Sequence, residues 1–202
     1  RLSQLKLPID ELLDIVERAA GENRACNKND PVTAPGYETW RWATRFVRES
    51  QILRDLGWTR CAHKLVDGLR HDGLRIKLVI SNMDSAAGDP DRKPKSKSEK
   101  GSASASAIAN NASRDQMNFW PSAENEDDVD EYDFWYLGIH VGENCVTAEV
   151  SRPIGMVSKL VNDYSERLVV AREGDLPLVT RPETVPQDFA EVELPKVTRK
   201  TN

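Results

Sequence analysis

A single hairpin near residue 140 does most to limit what this chain can fold into. From Phe134 to Val141, the residues Trp135, Leu137, Ile139 and Val141 alternate with Phe134, Tyr136, Gly138 and His140. Successive side chains of a strand leave opposite faces. Large apolar groups on both faces predict a central strand, covered on each side. Gly142-Glu143-Asn144 then turns the chain, and Val146, Ala148 and Val150 alternate with Cys145, Thr147, Glu149 and Ser151. Together these segments read as an antiparallel hairpin over 134–151.

The remaining elements must supply the covers. Residues 8–20 read as a helix: Pro8 suits a first turn, and Ile9, Leu12, Leu13, Val16 and Ala20 recur at helical spacing before Gly21. A second helix is expected over 37–56, with Trp42, Phe46, Leu53 and Leu56 on one face and Gly57 at its end. Residues 65–81 read as another hairpin. Its turn is His71-Asp72-Gly73, and its second arm sets Leu74, Ile76, Leu78 and Ile80 against Arg75, Lys77, Val79 and Ser81. A short helix is expected over 156–164 and a last strand from Arg167 to Ala171.

Two stretches carry no apolar periodicity. Residues 82–133 run from a Pro- and Lys-rich segment through Ser102-Ala103-Ser104-Ala105-Ser106-Ala107 to an acidic run ending at Asp133. They are expected to be a peripheral charged insertion, with a short helix at most, over 103–111. Residues 174–202 hold four prolines and end on Lys196, Arg199 and Lys200, as an extended tail would. The expected fold class is α+β: a small, mostly antiparallel sheet of three to five strands with two N-terminal helices on one face. Residues 1–81 and 134–173 would form the domain, with the insertion and the tail outside it.

Composition narrows the function classes. The 202 residues carry a formal net charge of −5, which argues against nucleic-acid binding by the whole surface but leaves room for a local basic patch. No run approaches the roughly 18 apolar residues of a membrane span, and the first residues lack the apolar core of a signal peptide. Cys26, Cys61 and Cys145 are odd in number and far apart, so a reducing, cytoplasmic setting is expected rather than a disulfide framework.

Candidate site residues fall into three groups. Arg41, Arg45 and Arg48 share one helix face beside Trp40. Guanidinium groups grip phosphate in two-point fashion and an indole stacks on a base, so the set would suit a nucleic-acid groove. A solvated helix face, with Glu38 and Glu49 in pairing reach, accounts for the same residues. Lys93, Lys95, Lys97 and Lys100 lead into Gly101-Ser102, and a helix starting there would offer free backbone N–H groups to an anion. The loop, which runs through Lys95, is not a Walker A loop, because the glycines that motif needs before its lysine are absent. Asp84 and Glu149, near strand ends, could hold Mg²⁺ in a nuclease, although Ser151 occupies the place of the lysine such sites use. Cys61 and His63 lack a second close pair for zinc, and His71 and His140 have no nucleophile motif beside them.

With no cofactor fingerprint and no catalytic motif, the expected function is a non-enzymatic binding or assembly subunit. It would engage a protein partner or further copies of itself, and also nucleic acid, through the arginine stripe and charged loops. The alternatives are a metal-dependent nuclease or phosphoesterase using Asp84 and Glu149, and a structural protein that forms oligomers.

Overall fold

The computed structural model describes residues 1–63, 66–117 and 132–176. The expected roles of Leu65, of the acidic residues up to 131 and of the tail beyond 176 lie outside the described residues. A 3₁₀ turn at Leu2–Leu5 leads into α1 (Ile9–Ala25), α2 (Ala34–Glu49) and α3 (Gln51–Asp55). Strands β1 (Thr59–His63), β2 (Val66–His71) and β3 (Ile76–Asn82) follow. After α4 (Ser102–Met117) come β4 (Asp133–Val141), β5 (Val146–Val157) and β6 (Leu160–Ala171). The fold is α+β, and its sheet is mostly antiparallel. It has six strands in sequence order, not the three to five expected. Among the described residues only β3 and β4 run parallel, and α4 lies on the crossover between them.

Strand alternation sorts the sheet into two buried faces. Ile76, Leu78, Ile80, Trp135, Leu137, Ile139, Ala148 and Val150 pack against Leu12, Ile15, Val16, Ala43, Phe46 and Leu53 of the N-terminal helices. Val79, Phe134, Tyr136 and Val161 pack on the other side against Met83, Ala87, Ala107 and Ile108. The doubly apolar strand thus lies inside, as its pattern requires. The segment expected at the periphery supplies that second cover: α4 runs 16 residues, twice the length of a two-turn helix, and buries Ala107, Ile108 and Asn111. That face carries one large apolar residue, Ile108, so the helix shows no Leu- or Phe-rich stripe.

Three local readings are corrected. The helix expected over 37–56 breaks at Ser50, whose backbone is extended (ψ 117°) and whose Oγ accepts from the Leu53 amide at 3.1 Å. Serine at an N-cap starts a new helix in this way. The helix expected over 156–164 is a turn between long strands. Val157 pairs with Leu160, while Ser158 and Lys159 take φ of 50° and 64°. Two consecutive left-handed residues make a type I′ hairpin, normally written with Asn-Gly. Finally, Thr59–His63 is an edge strand that the sequence reading did not anticipate. Among the described residues, no helix is long and apolar enough to cross a membrane.

Candidate functional site: a cleft at the carboxyl ends of the parallel strands

A cleft of about 580 Å³ opens where β3 and β4 end, with Asn82, Ile139 and Val141 at its base. Ligands of open sheets with parallel strands gather at such carboxyl ends, where the following loops diverge. One wall is the first two turns of α2, which present Gly36, Tyr37 and Trp40. The other is Lys97-Ser98, from the loop after β3. Pro35 near the helix start fixes that wall: its ring suits the first turn, where no amide hydrogen bond is lost.

Asn82 ties the two walls together. Its Nδ2 donates to the Gly36 carbonyl at 2.7 Å, and its own carbonyl accepts from the Lys97 amide at 2.9 Å. Asn23 of α1 braces the same turn, donating to the Pro35 carbonyl and to Thr39 Oγ1 at 2.7 and 2.8 Å. The aromatic rings of Tyr37 and Trp40 stand 5.8 Å apart at 44°, and Tyr37 is 55% exposed. An aromatic of that size left in water, on a turn held by four side-chain hydrogen bonds that include Thr39 Oγ1 to the Pro35 carbonyl, is a rigid surface for a flat ligand. Behind the Lys97 wall, His140 sits buried with Nδ1 3.3 Å from the Met83 carbonyl. Burial, then the Lys97 charge, push its imidazolium form down, so the ring stays neutral beside the lysine.

The residues expected to bind anions reach several different places. Trp40 and Lys97 meet at the cleft. Arg41 and Arg45 lie on the outer face of α2, where they flank the Trp42 ring at 4.9 Å each and pair with Glu38 and Glu49. Arg48 turns inward instead. It donates to the carbonyls of Cys61 and Gly68 and to Asp67 Oδ1, locking α2 onto the β1–β2 hairpin. Lys93 pairs with Asp163 at 2.6 Å, and the salt link holds the Asp163 carboxyl below its usual range. Lys95 is exposed. Lys100, just ahead of α4, turns in over the Tyr136 ring and donates to Ser81 Oγ at 2.8 Å.

The two carboxylates considered for Mg²⁺ are engaged otherwise. Glu149 is fully buried, gripped at both oxygens by Arg167 (3.0 and 2.6 Å) and bonded by the Gly88 amide. Asp84 Oδ1 caps a turn through the Ala86 amide. Among the described residues, no three His, Cys, Asp or Glu side chains gather as metal ligands. His71 is a core residue: its ring meets Trp58 edge-on, Nδ1 accepts from the Leu74 amide, and Nε2 lies 3.0 Å from the Leu56 carbonyl. Those partners suit Nε2 as the donor and Nδ1 as the acceptor.

Tyr37 and Asn82 were missing from the sequence reading. Pro35-Gly36-Tyr37 could have marked an exposed aromatic in a helix's first turn, but nothing local links Asn82 to a turn 46 residues earlier. No protein-family model matches the chain, and neither a curated protein nor a solved structure matches it.

Proposed function

We propose that the chain is a binding module for a base-bearing ligand, a single nucleic-acid strand, with one base held in the cleft. The observation that carries this reading is the exposed Tyr37 ring, backed by half-buried Trp40, set across the cleft from Lys97. The volume, about 580 Å³, lies within the range of sites that take small ligands. A base stacked on an aromatic contributes about 1–3 kcal/mol, irrespective of its identity, and the lysine meets the adjoining phosphate. From Tyr37, positions 41 and 45 follow at four-residue steps, so Arg41 and Arg45 line a path down α2 from the cleft mouth. Their links to Glu38 and Glu49 are exposed pairs within one helix. Such pairs contribute only tenths of a kcal/mol and exchange readily for phosphate.

The test is the anisotropy of a labelled oligothymidylate titrated with the protein at several salt concentrations. Tyr37→Ala should weaken binding about tenfold, from the lost stacking energy. Three phosphate contacts predict a log–log salt slope near −2, and Arg41→Gln or Arg45→Gln should each flatten it by about 0.7. Arg48→Gln should leave the slope alone, since that side chain faces the hairpin. The reading fails if Tyr37→Ala binds like the parent, or if no binding is seen.

A further inference from the structure

We propose that the first turn of α4, with Lys100, Ser81 and Tyr136 beneath it, forms a second site, for a small oxyanion of the size and charge of a phosphate or sulfate group. This site does not rest on the cleft. Ser81 and Asn82 are consecutive on β3, so their side chains leave opposite faces of the sheet.

Four observations converge on that turn. First, the Lys100 ammonium is largely withdrawn from water, with Nζ 2.8 Å from Ser81 Oγ and 5.4 Å from the centre of the Tyr136 ring. Second, among the described residues no carboxylate balances it. Glu99 pairs outward with Lys159 and Glu149 is held by Arg167. Burial alone lowers the Lys100 pKa, to about 8. Third, α4 begins two residues on, and its first helical bond is from the Ala105 amide to the Gly101 carbonyl. The amides of 102–104 therefore have no acceptor within the helix, and the positive end of the helix dipole points the same way as the lysine charge. Fourth, the Tyr136 hydroxyl is buried at 1% exposure with no hydrogen-bond partner. Ser104, in that same first turn, approaches it without forming a bond of good geometry and only slightly offsets the effect of burial, which pushes the phenol well up.

The side chains gathered here are an ammonium, a phenol and two serine hydroxyls, beside the turn's amides; of these, Ser81 Oγ accepts from Lys100 and makes a long bond of 3.4 Å to the Asn82 carbonyl that it can give up for a stronger acceptor. A cation beside the positive end of a helix is unfavourable twice over. An oxyanion resolves both terms at once and takes the hydrogen of the phenol. Gly101 and Ser102 are exposed, so the turn is reached from solvent.

The probe is sulfate, which does not titrate near neutrality, added to the full chain and followed by calorimetry in two buffers of different ionisation heat. We expect saturable one-to-one binding. At pH 8 about half of the Lys100 side chains are neutral, so binding should take up about half a proton per sulfate, falling towards zero near pH 6.5. Lys100→Met should weaken binding at least tenfold and abolish the uptake. Tyr136→Phe keeps the ring and its packing, and should weaken binding several-fold, which preserves the test if the methionine variant does not fold. Tyr37→Ala, which removes the cleft aromatic, should bind sulfate like the parent. Sulfate bound equally by Tyr37→Ala but not by Lys100→Met supports this site even if oligothymidylate fails to bind the cleft. Absence of saturable binding, unchanged affinity in both the Lys100 and Tyr136 variants, or no proton uptake at pH 8 would overturn the proposal.

Discussion

Removing the Asn111 amide should cost more stability than removing most of the apolar side chains of α4. Asn111 is fully buried, and it repairs a gap in the sheet. Beyond the pair Tyr136–Ser151, β4 and β5 no longer bond to each other in register, and Pro153 has no N–H to give. Asn111 fills that place. Its Oδ1 accepts from the Phe134 amide at 3.0 Å, and its Nδ2 donates to the carbonyls of Phe134 and Pro153 at 2.7 and 2.9 Å. Asn111→Ala orphans three buried backbone groups. Each orphan costs about 1–3 kcal/mol, and water entering the small cavity would restore part of it, which leaves a loss of about 3–5 kcal/mol. Urea unfolding followed by circular dichroism reads that loss directly, with Asn110→Ala as the half-buried neighbour expected to change little. Asn111→Asp sharpens the test. Its carboxylate still accepts from the Phe134 amide but faces two carbonyls, so it should be less stable at pH 7 than at pH 4. A loss below about 1 kcal/mol in Asn111→Ala would refute the claim that this side chain completes the sheet.

Two further outcomes follow from buried charge. Arg167→Met strands the Glu149 carboxylate at 0% exposure and should cost about 3–5 kcal/mol, whereas a double variant that also carries Glu149→Leu should recover most of it in thermal melts. Lys100 has a folded pKa of about 8 against an ordinary 10.5, so between those values the unfolded chain binds more protons. Stability relative to Lys100→Met should therefore rise from pH 8 to pH 10.5, by up to roughly 3 kcal/mol, and be flat below pH 8. A difference that falls with pH over that window would contradict the buried, unbalanced ammonium.

How far the sequence discloses this fold depends on how each element buries its residues. The 134–141 strand is legible because both its faces are buried by large side chains, which leaves an unbroken record in the residue types. Thr59–His63 leaves almost none: as an edge strand it buries Cys61 alone among the residues whose burial is described, and its other types fit a loop equally well. The helix α4 hides for a different reason. It meets the sheet through Ala107, Ile108 and Asn111, and a buried face with a single large apolar residue looks like low complexity when read by hydrophobicity alone. The Ser158-Lys159 turn is masked because β5 and β6, paired over most of their length, hold two non-glycine residues in a conformation they seldom choose unaided.

The site obeys the same logic. Trp40 and Lys97 were singled out for their chemistry, and the fold brings both to the cleft. Lys100 was singled out for leading into Gly101-Ser102 at an anion-binding helix start, and the fold turns its side chain in to Ser81. What separates Lys97 from Lys100, three residues apart in one basic loop, is the backbone bonds that pin the segment. The Lys97 amide bonds to the Asn82 carbonyl, at the end of β3, and the Lys100 amide bonds to the Lys159 carbonyl, in the β5–β6 turn. Residue type sets what each lysine could do. Those two long-range bonds, made to partners that no spacing in the sequence specifies, set which one lines the cleft and which one turns in to Ser81.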